Sequence, residues 1–110
     1  MVFNTSIRYN DNELHVDDIC VDDIVKKTGT PTYIYSLKRA VQNYHQLLSA
    51  FADLDIHIHY SAKANSNLAI LKTLSDAGAG IDTVSMGEIY RAIYVGVQPI
   101  AQPLIYNLSE

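Results

Sequence analysis

The chain holds a single cysteine, Cys20, in 110 residues. No intrachain disulfide can form, which suits a reducing compartment and makes a cytoplasmic location the expectation. No apolar window reaches bilayer-spanning length. The opening Met1-Val2-Phe3-Asn4-Thr5-Ser6 runs into polar residues rather than the apolar core of a secretory signal. No membrane association is therefore expected. Positive charge is scarce as well: eight Lys and Arg stand against twelve Asp and Glu, a formal net charge of −4, and no basic cluster occurs. That balance argues against a nucleic-acid surface. Internal repeats, low-complexity tracts and an obvious linker are all missing, so the length sets a single domain as the prior.

What is present is an alternation of strand-like and helix-like segments. Residues 1–35 read as an N-terminal arm. Within it Asp22 and Asp23 open a short helical stretch and Lys26 and Lys27 close it, in keeping with the helix dipole. Gly29 stops that helix and Pro31 prevents its continuation. The β-rich Thr32-Tyr33-Ile34-Tyr35 predicts a short strand. Ser36 caps the clearest helix, in which Leu37, Ala40, Val41, Tyr44, Leu47, Leu48 and Phe51 form an apolar stripe at 3.6-residue spacing. A strand is predicted at 56–62, a helix at 67–77 ended by Gly78, and a second strand from Ile81 to Val84. The Ser85–Glu88 spacing of a capping box then opens a helix that reaches Val95 and stops at Gly96. Leu104-Ile105-Tyr106 reads as a third strand. This β-α-β-α order implies parallel strands with right-handed crossovers.

Chemistry concentrates at His59-Tyr60-Ser61-Ala62-Lys63-Ala64-Asn65-Ser66-Asn67. Ile56, Ile58, Tyr60 and Ala62 fall on one strand face; His57, His59, Ser61 and Lys63 fall on the other. Asn65 and Ser66 are turn and N-cap types. Lys63 therefore stands where a strand gives way to a helix, the end at which α/β folds place their active groups. A lysine amine there suits covalent capture of an aldehyde. An ordinary solvated lysine is the plain alternative.

Three motifs together resemble one family. Gly29-Thr30-Pro31-Thr32-Tyr33-Ile34-Tyr35-Ser36, Tyr60-Ser61-Ala62-Lys63-Ala64-Asn65-Ser66-Asn67 and Gly78-Ala79-Gly80-Ile81-Asp82-Thr83-Val84-Ser85-Met86-Gly87-Glu88 are similar, in order and spacing, to the N-terminal part of the diaminopimelate decarboxylases. Those are pyridoxal-phosphate enzymes of the alanine-racemase-like barrel class. The resemblance implies that Lys63 is the lysine bonded to pyridoxal 5′-phosphate, that Asp82 lies beside the cofactor on the second barrel strand, and that Glu88 supports the active site. It implies an amino-acid substrate, meso-diaminopimelate, converted to L-lysine and carbon dioxide, and a homodimeric enzyme. It also implies that the arm pairs with a C-terminal β domain.

A complete eight-unit barrel needs about 200 residues or more. The fold expected is thus α/β: an incomplete parallel (β/α) barrel at 36–110, preceded by the arm at 1–35. The resemblance fades after Val97, and the family's glycine-rich phosphate loop, catalytic cysteine and β domain do not follow. The chain reads as the first quarter of such an enzyme, inactive alone.

Several residues carry a competing reading. Asp82 can be a strand carboxylate satisfied by backbone or by Lys63, and Glu88 a cap partner of Ser85. His57 and His59 form an H-x-H pair of the kind that zinc hydrolase barrels use, yet no further His or Cys cluster follows them, so they read as packing or polar-network histidines and no metal centre is expected. A fragment of an ornithine or carboxynorspermidine decarboxylase, or a non-catalytic cofactor- or partner-binding remnant, are the alternative functions.

Overall fold

Turn chemistry builds more at the amino end than the hydrophobic pattern predicts. The computed structural model describes residues 5–99. Strands β1 (Ile7–Asn10), β2 (Glu13–Val16) and β3 (Ile19–Cys20) form an antiparallel sheet in that order. Asp11 and Asn12 both take positive φ, 49° and 66°. That is the backbone of the two-residue hairpin turn whose twist matches its strands, and Asp and Asn tolerate it best after glycine. Helix α1 (Val21–Thr28) follows β3 directly, with Asp22 and Asp23 in its first turn and Lys26 and Lys27 in its last.

No strand forms at Thr32–Tyr35. Tyr33 is 89% and Tyr35 58% exposed. β-prone residues need a partner ladder to become a strand, and among the described residues none runs beside them.

Ser36 begins helix α2 (Leu37–Ala50) as expected: its Oγ accepts from Arg39 N at 2.9 Å. The same hydroxyl donates to the Asp17 carboxylate, 2.8 Å to the nearer oxygen, and so ties the helix to the hairpin segment. The apolar stripe is used over its first half. Leu37, Ala40 and Tyr44 pack on the core, while Leu47 and Phe51 stay exposed.

The barrel-like part runs β4 (His59–Ser61), a 3-10 turn (Ala62–Ala64), α3 (Leu68–Asp76), β5 (Gly80–Asp82) and α4 (Met86–Tyr94). Strands β4 and β5 pair in parallel, His59 opposite Gly80, Tyr60 opposite Ile81 and Ser61 opposite Asp82. The ladder is shorter than the alternation suggests. Gly80 N still donates to Ile58 O at 3.0 Å, but Ala62 and Lys63 turn into the 3-10 segment instead of finishing the strand. Thr83 and Val84 leave β5 early, because Val84 N–H is taken by the Glu88 carboxylate.

The core sits around α3. Leu71 and Ala62 are fully buried, and Ile70, Leu74, Ala79 and Ala92 are nearly so. Helices α3 and α4 end alike. Ala79 N bonds to Leu74 O and Gly78 N to Ser75 O; Val97 N bonds to Ala92 O and Gly96 N to Ile93 O. Gly78 and Gly96 hold φ of +103° and +93°, the region that glycine enters without a Cβ penalty. The result is α/β, the opening β-α units of a parallel barrel. The strand predicted at Leu104–Tyr106 lies outside the described residues.

Candidate active site

The site is built from the carboxyl end of β4 outward. Ala62, 0% exposed, anchors the chain as it leaves the strand. Tyr60, on the inner face, sends its hydroxyl across the turn to donate to Asn65 O at 2.9 Å. Burial pushes the Tyr60 phenol above its ordinary value near 10, so at neutral pH it is a proton donor. Asn65 Oδ1 accepts from Asn67 N at 3.0 Å, a side-chain turn, and Asn67 Oδ1 accepts from Ala69 N at 2.9 Å. The N-cap of α3 is therefore Asn67; Asn65 shapes the turn that leads to it.

These contacts hold the turn that carries Lys63. The lysine is exposed, and among the described residues its amine has no hydrogen-bond or ion-pair partner. Asp82 ends β5, exposed, on the neighbouring strand. Its Oδ2 accepts from Ser61 Oγ at 3.2 Å, so the group that satisfies the carboxylate is Ser61 rather than Lys63 or backbone. Both expected residues thus sit at the carboxyl ends of adjacent parallel strands.

Glu88 is engaged in capping. Its backbone N–H donates to Ser85 Oγ at 3.3 Å, and its Oε2 accepts from Val84 N at 2.8 Å. The carboxylate reaches the residue before the cap, not Ser85 itself. Arg91 of α4 donates to Ser66 O at 3.4 Å, bracing the loop after Lys63. Nothing in the sequence signals that contact across 25 positions. His57 and His59 lie on the exposed face, and no third metal-ligating side chain joins them among the described residues.

An exposed primary amine just past one strand end, with a carboxylate at the end of the next strand, suits the aldehyde end of pyridoxal phosphate. Comparison with known proteins gives the family. Residues 35–107 match the family model of the pyridoxal-dependent decarboxylases, pyridoxal binding domain. The chain belongs to this family.

Diaminopimelate decarboxylase of Pseudomonas aeruginosa is 37% identical over 91 residues, which covers 83% of this chain and 22% of that protein. The enzyme of Aquifex aeolicus is 35% identical over 97 residues, 88% of this chain and 23% of that one. Among solved structures, diaminopimelate decarboxylase from M. jannaschii, crystallised with L-lysine, superposes with a TM-score of 0.79 at 33% identity, over 86% of this chain and 23% of the other. The chain thus spans between a fifth and a quarter of the length of these relatives, an N-terminal portion of a pyridoxal-phosphate decarboxylase barrel. No helix among the described residues is long and apolar enough to cross a membrane.

Proposed function

We propose that this chain is the lysine-bearing part of a pyridoxal-phosphate-dependent decarboxylase whose substrate is meso-diaminopimelate and whose products are L-lysine and carbon dioxide. The observation that carries the reading is Lys63, exposed and unpartnered at the carboxyl end of β4, one strand away from Asp82. When bound, the cofactor ring supplies the sink for the electron pair that carbon dioxide leaves behind.

This chain's residues have narrower tasks. Lys63 Nζ would hold the cofactor through its aldehyde. Asp82, oriented by Ser61, would supply a negative charge on the neighbouring strand. Glu88 supports the site indirectly, by fixing the backbone at Val84, two residues past the end of β5. Residues 1–35 are an arm and 36–110 the barrel part. The assembly is a cytoplasmic homodimer that takes an amino acid as its small-molecule substrate and binds neither nucleic acid nor membrane.

The test is covalent mapping. The chain is incubated with pyridoxal phosphate, trapped with borohydride, digested and read by mass spectrometry. Lys63 should carry the label in preference to the other lysines. Label spread evenly over Lys26, Lys27, Lys38, Lys63 and Lys72 defeats the proposal. The 110-residue chain by itself should release carbon dioxide from diaminopimelate no faster than free pyridoxal phosphate does, because positioning and preorganised charge supply most of an enzyme's advantage. Enzyme-like turnover abolished by Lys63→Ala would overturn that expectation.

A further inference from the structure

The amino-terminal sheet brings together three side chains that no part of the decarboxylase reading uses. Glu13 and His15 are two apart on β2 and so share a face. Cys20 on β3 stands directly opposite His15 in the ladder. One ligand atom from each, a Glu13 carboxylate oxygen, a His15 ring nitrogen and Cys20 Sγ, lie within 4.8 Å of one another. A tetrahedral zinc site, with bonds of about 2.0–2.3 Å, needs its ligands roughly 3.3–3.8 Å apart. The remaining gap is about 1 Å, the scale of a side-chain adjustment.

The histidine is already oriented. Its Nδ1 is 3.2 Å from Glu13 O. A carbonyl oxygen only accepts, so Nδ1 carries the proton and the Nε2 lone pair is free for a cation. A backbone carbonyl behind a ligating imidazole is the usual supporting shell of a metal site. The Arg8 guanidinium across the ladder does not compete for Glu13. Arg8 lies opposite His15 on β1, and its guanidinium is paired with Asp18 at 2.9 Å. His15 and Cys20 are half-buried and Glu13 is exposed, which leaves an open, solvent-facing coordination position.

We infer that the β2–β3 hairpin holds a site for a borderline divalent cation of the zinc type, with Glu13, His15 Nε2 and Cys20 Sγ as protein ligands and water as the fourth. Thiolate, imidazole and carboxylate together favour such an ion over magnesium or calcium, which take oxygen ligands. The site is independent of Lys63. Bound metal would staple β2 to β3 and stabilise the folded arm by mass action.

Cobalt is the probe. The full chain, freed of metal and kept reduced with a phosphine, is titrated with Co2+. The expected result is one ion per chain, with sulfur-to-cobalt charge-transfer absorption and the visible bands of a four-coordinate ion, both erased by Zn2+. Cys20→Ser should remove the charge-transfer absorption, and His15→Ala should weaken binding at least about tenfold, since even loss of an outer partner costs that much. Lys63→Ala and the His57→Ala, His59→Ala double variant should bind as the parent does. Should a ligand variant fail to fold, the parent spectrum decides alone. Absence of thiolate absorption at one equivalent, or one ion shared by two chains, would overturn the inference.

Discussion

Ser61 and Asp82 face each other across the parallel ladder, and the Ser61 hydroxyl donates to Asp82 Oδ2 at 3.2 Å. Ser61 is two residues before Lys63. The strand that delivers the amine therefore also orients the carboxylate on its neighbour, and the two chemical groups are placed by a single register. A one-residue slip of β5 would turn Asp82 to the other face and away from Ser61.

That relationship yields a graded outcome. Asp82→Ala should lower pyridoxal-phosphate trapping at Lys63 while leaving the thermal melt almost unchanged, because an exposed strand-end carboxylate contributes little to stability. Ser61→Ala should lower trapping less than Asp82→Ala does. Quantitative peptide mapping after borohydride treatment measures both. Equal trapping in the parent and in Asp82→Ala would remove Asp82 from the site.

Two glycines should respond in opposite directions. A Cβ on Gly80 would come within 2.5 Å of His59 Nδ1 and 2.9 Å of His59 Cγ, so the ring packed over the ladder would have to move. On Gly87, inside α4, the nearest neighbour would be Ser85 Oγ at 3.9 Å. Gly80→Ala should thus destabilise by about 1–3 kcal/mol, as overpacking does. Gly87→Ala should stabilise by roughly 0.5–1 kcal/mol through helix propensity and lost chain entropy. Urea unfolding monitored by circular dichroism separates the two.

The caps offer a third test. Asn67→Ala removes the acceptor for Ala69 N and should cost about 0.5–2 kcal/mol. Asn65→Ala removes only the acceptor for Asn67 N, outside the helix, and should cost less. Chemical denaturation of the two variants in one buffer ranks them, and the reverse order would contradict the cap assignment.

Acid titration reads the amino-terminal sheet. The hydrogen bond from Arg8 and its charge, with further help from Lys38, hold the Asp18 carboxyl below its ordinary value near 3.8. A carboxyl depressed in the folded state favours folding above its unfolded pKa and loses that contribution as pH falls through the folded value. The Asp18 carbon resonance should therefore titrate below 3.8 in the parent and move back toward 3.8 in Arg8→Gln. An unchanged midpoint would show that the pair does not persist in solution.

A fifth expectation concerns association. The buried apolar set among the described residues is small, while Tyr94 is 80%, Tyr90 65%, Val84 64% and Met86 61% exposed along α4 and the segment that enters it. Each large side chain left wet forfeits about 1.5–3 kcal/mol of burial, against a typical domain stability of about 5–15 kcal/mol. The 110-residue chain should self-associate and melt broadly. Size-exclusion chromatography with light scattering checks it, and a monodisperse monomer with a sharp cooperative melt would refute it.

Much of this was legible from residue order. The Ser36 and Ser85 caps and the glycines at 78 and 96 each encode a local rule and each appears in the fold, while the period-2 run from Ile56 becomes strand only at His59–Ser61. What escaped depends on pairing across distance. Thr32–Tyr35 has strand-forming residues but no neighbour to bond with. The β1–β2 hairpin was hidden in Asp11-Asn12, a turn pair whose weight shows once Ile7, Tyr9, Leu14 and Val16 are read as two alternating strands. His15 and Cys20 carry no signal as isolated residues. Their meaning comes from a ladder that sets them side by side. The Arg91 bond to Ser66 likewise needs two helices to be in place first.

The Tyr60 hydroxyl bond to Asn65 closes a short ring of backbone around Lys63. With strand end and loop tied to one another, the backbone that carries Lys63 is braced from both sides, and the four-carbon arm has the freer movement. A carbonyl that is to reach the amine is therefore met by the side chain rather than by the main chain, and the length of that one side chain sets the reach of the site.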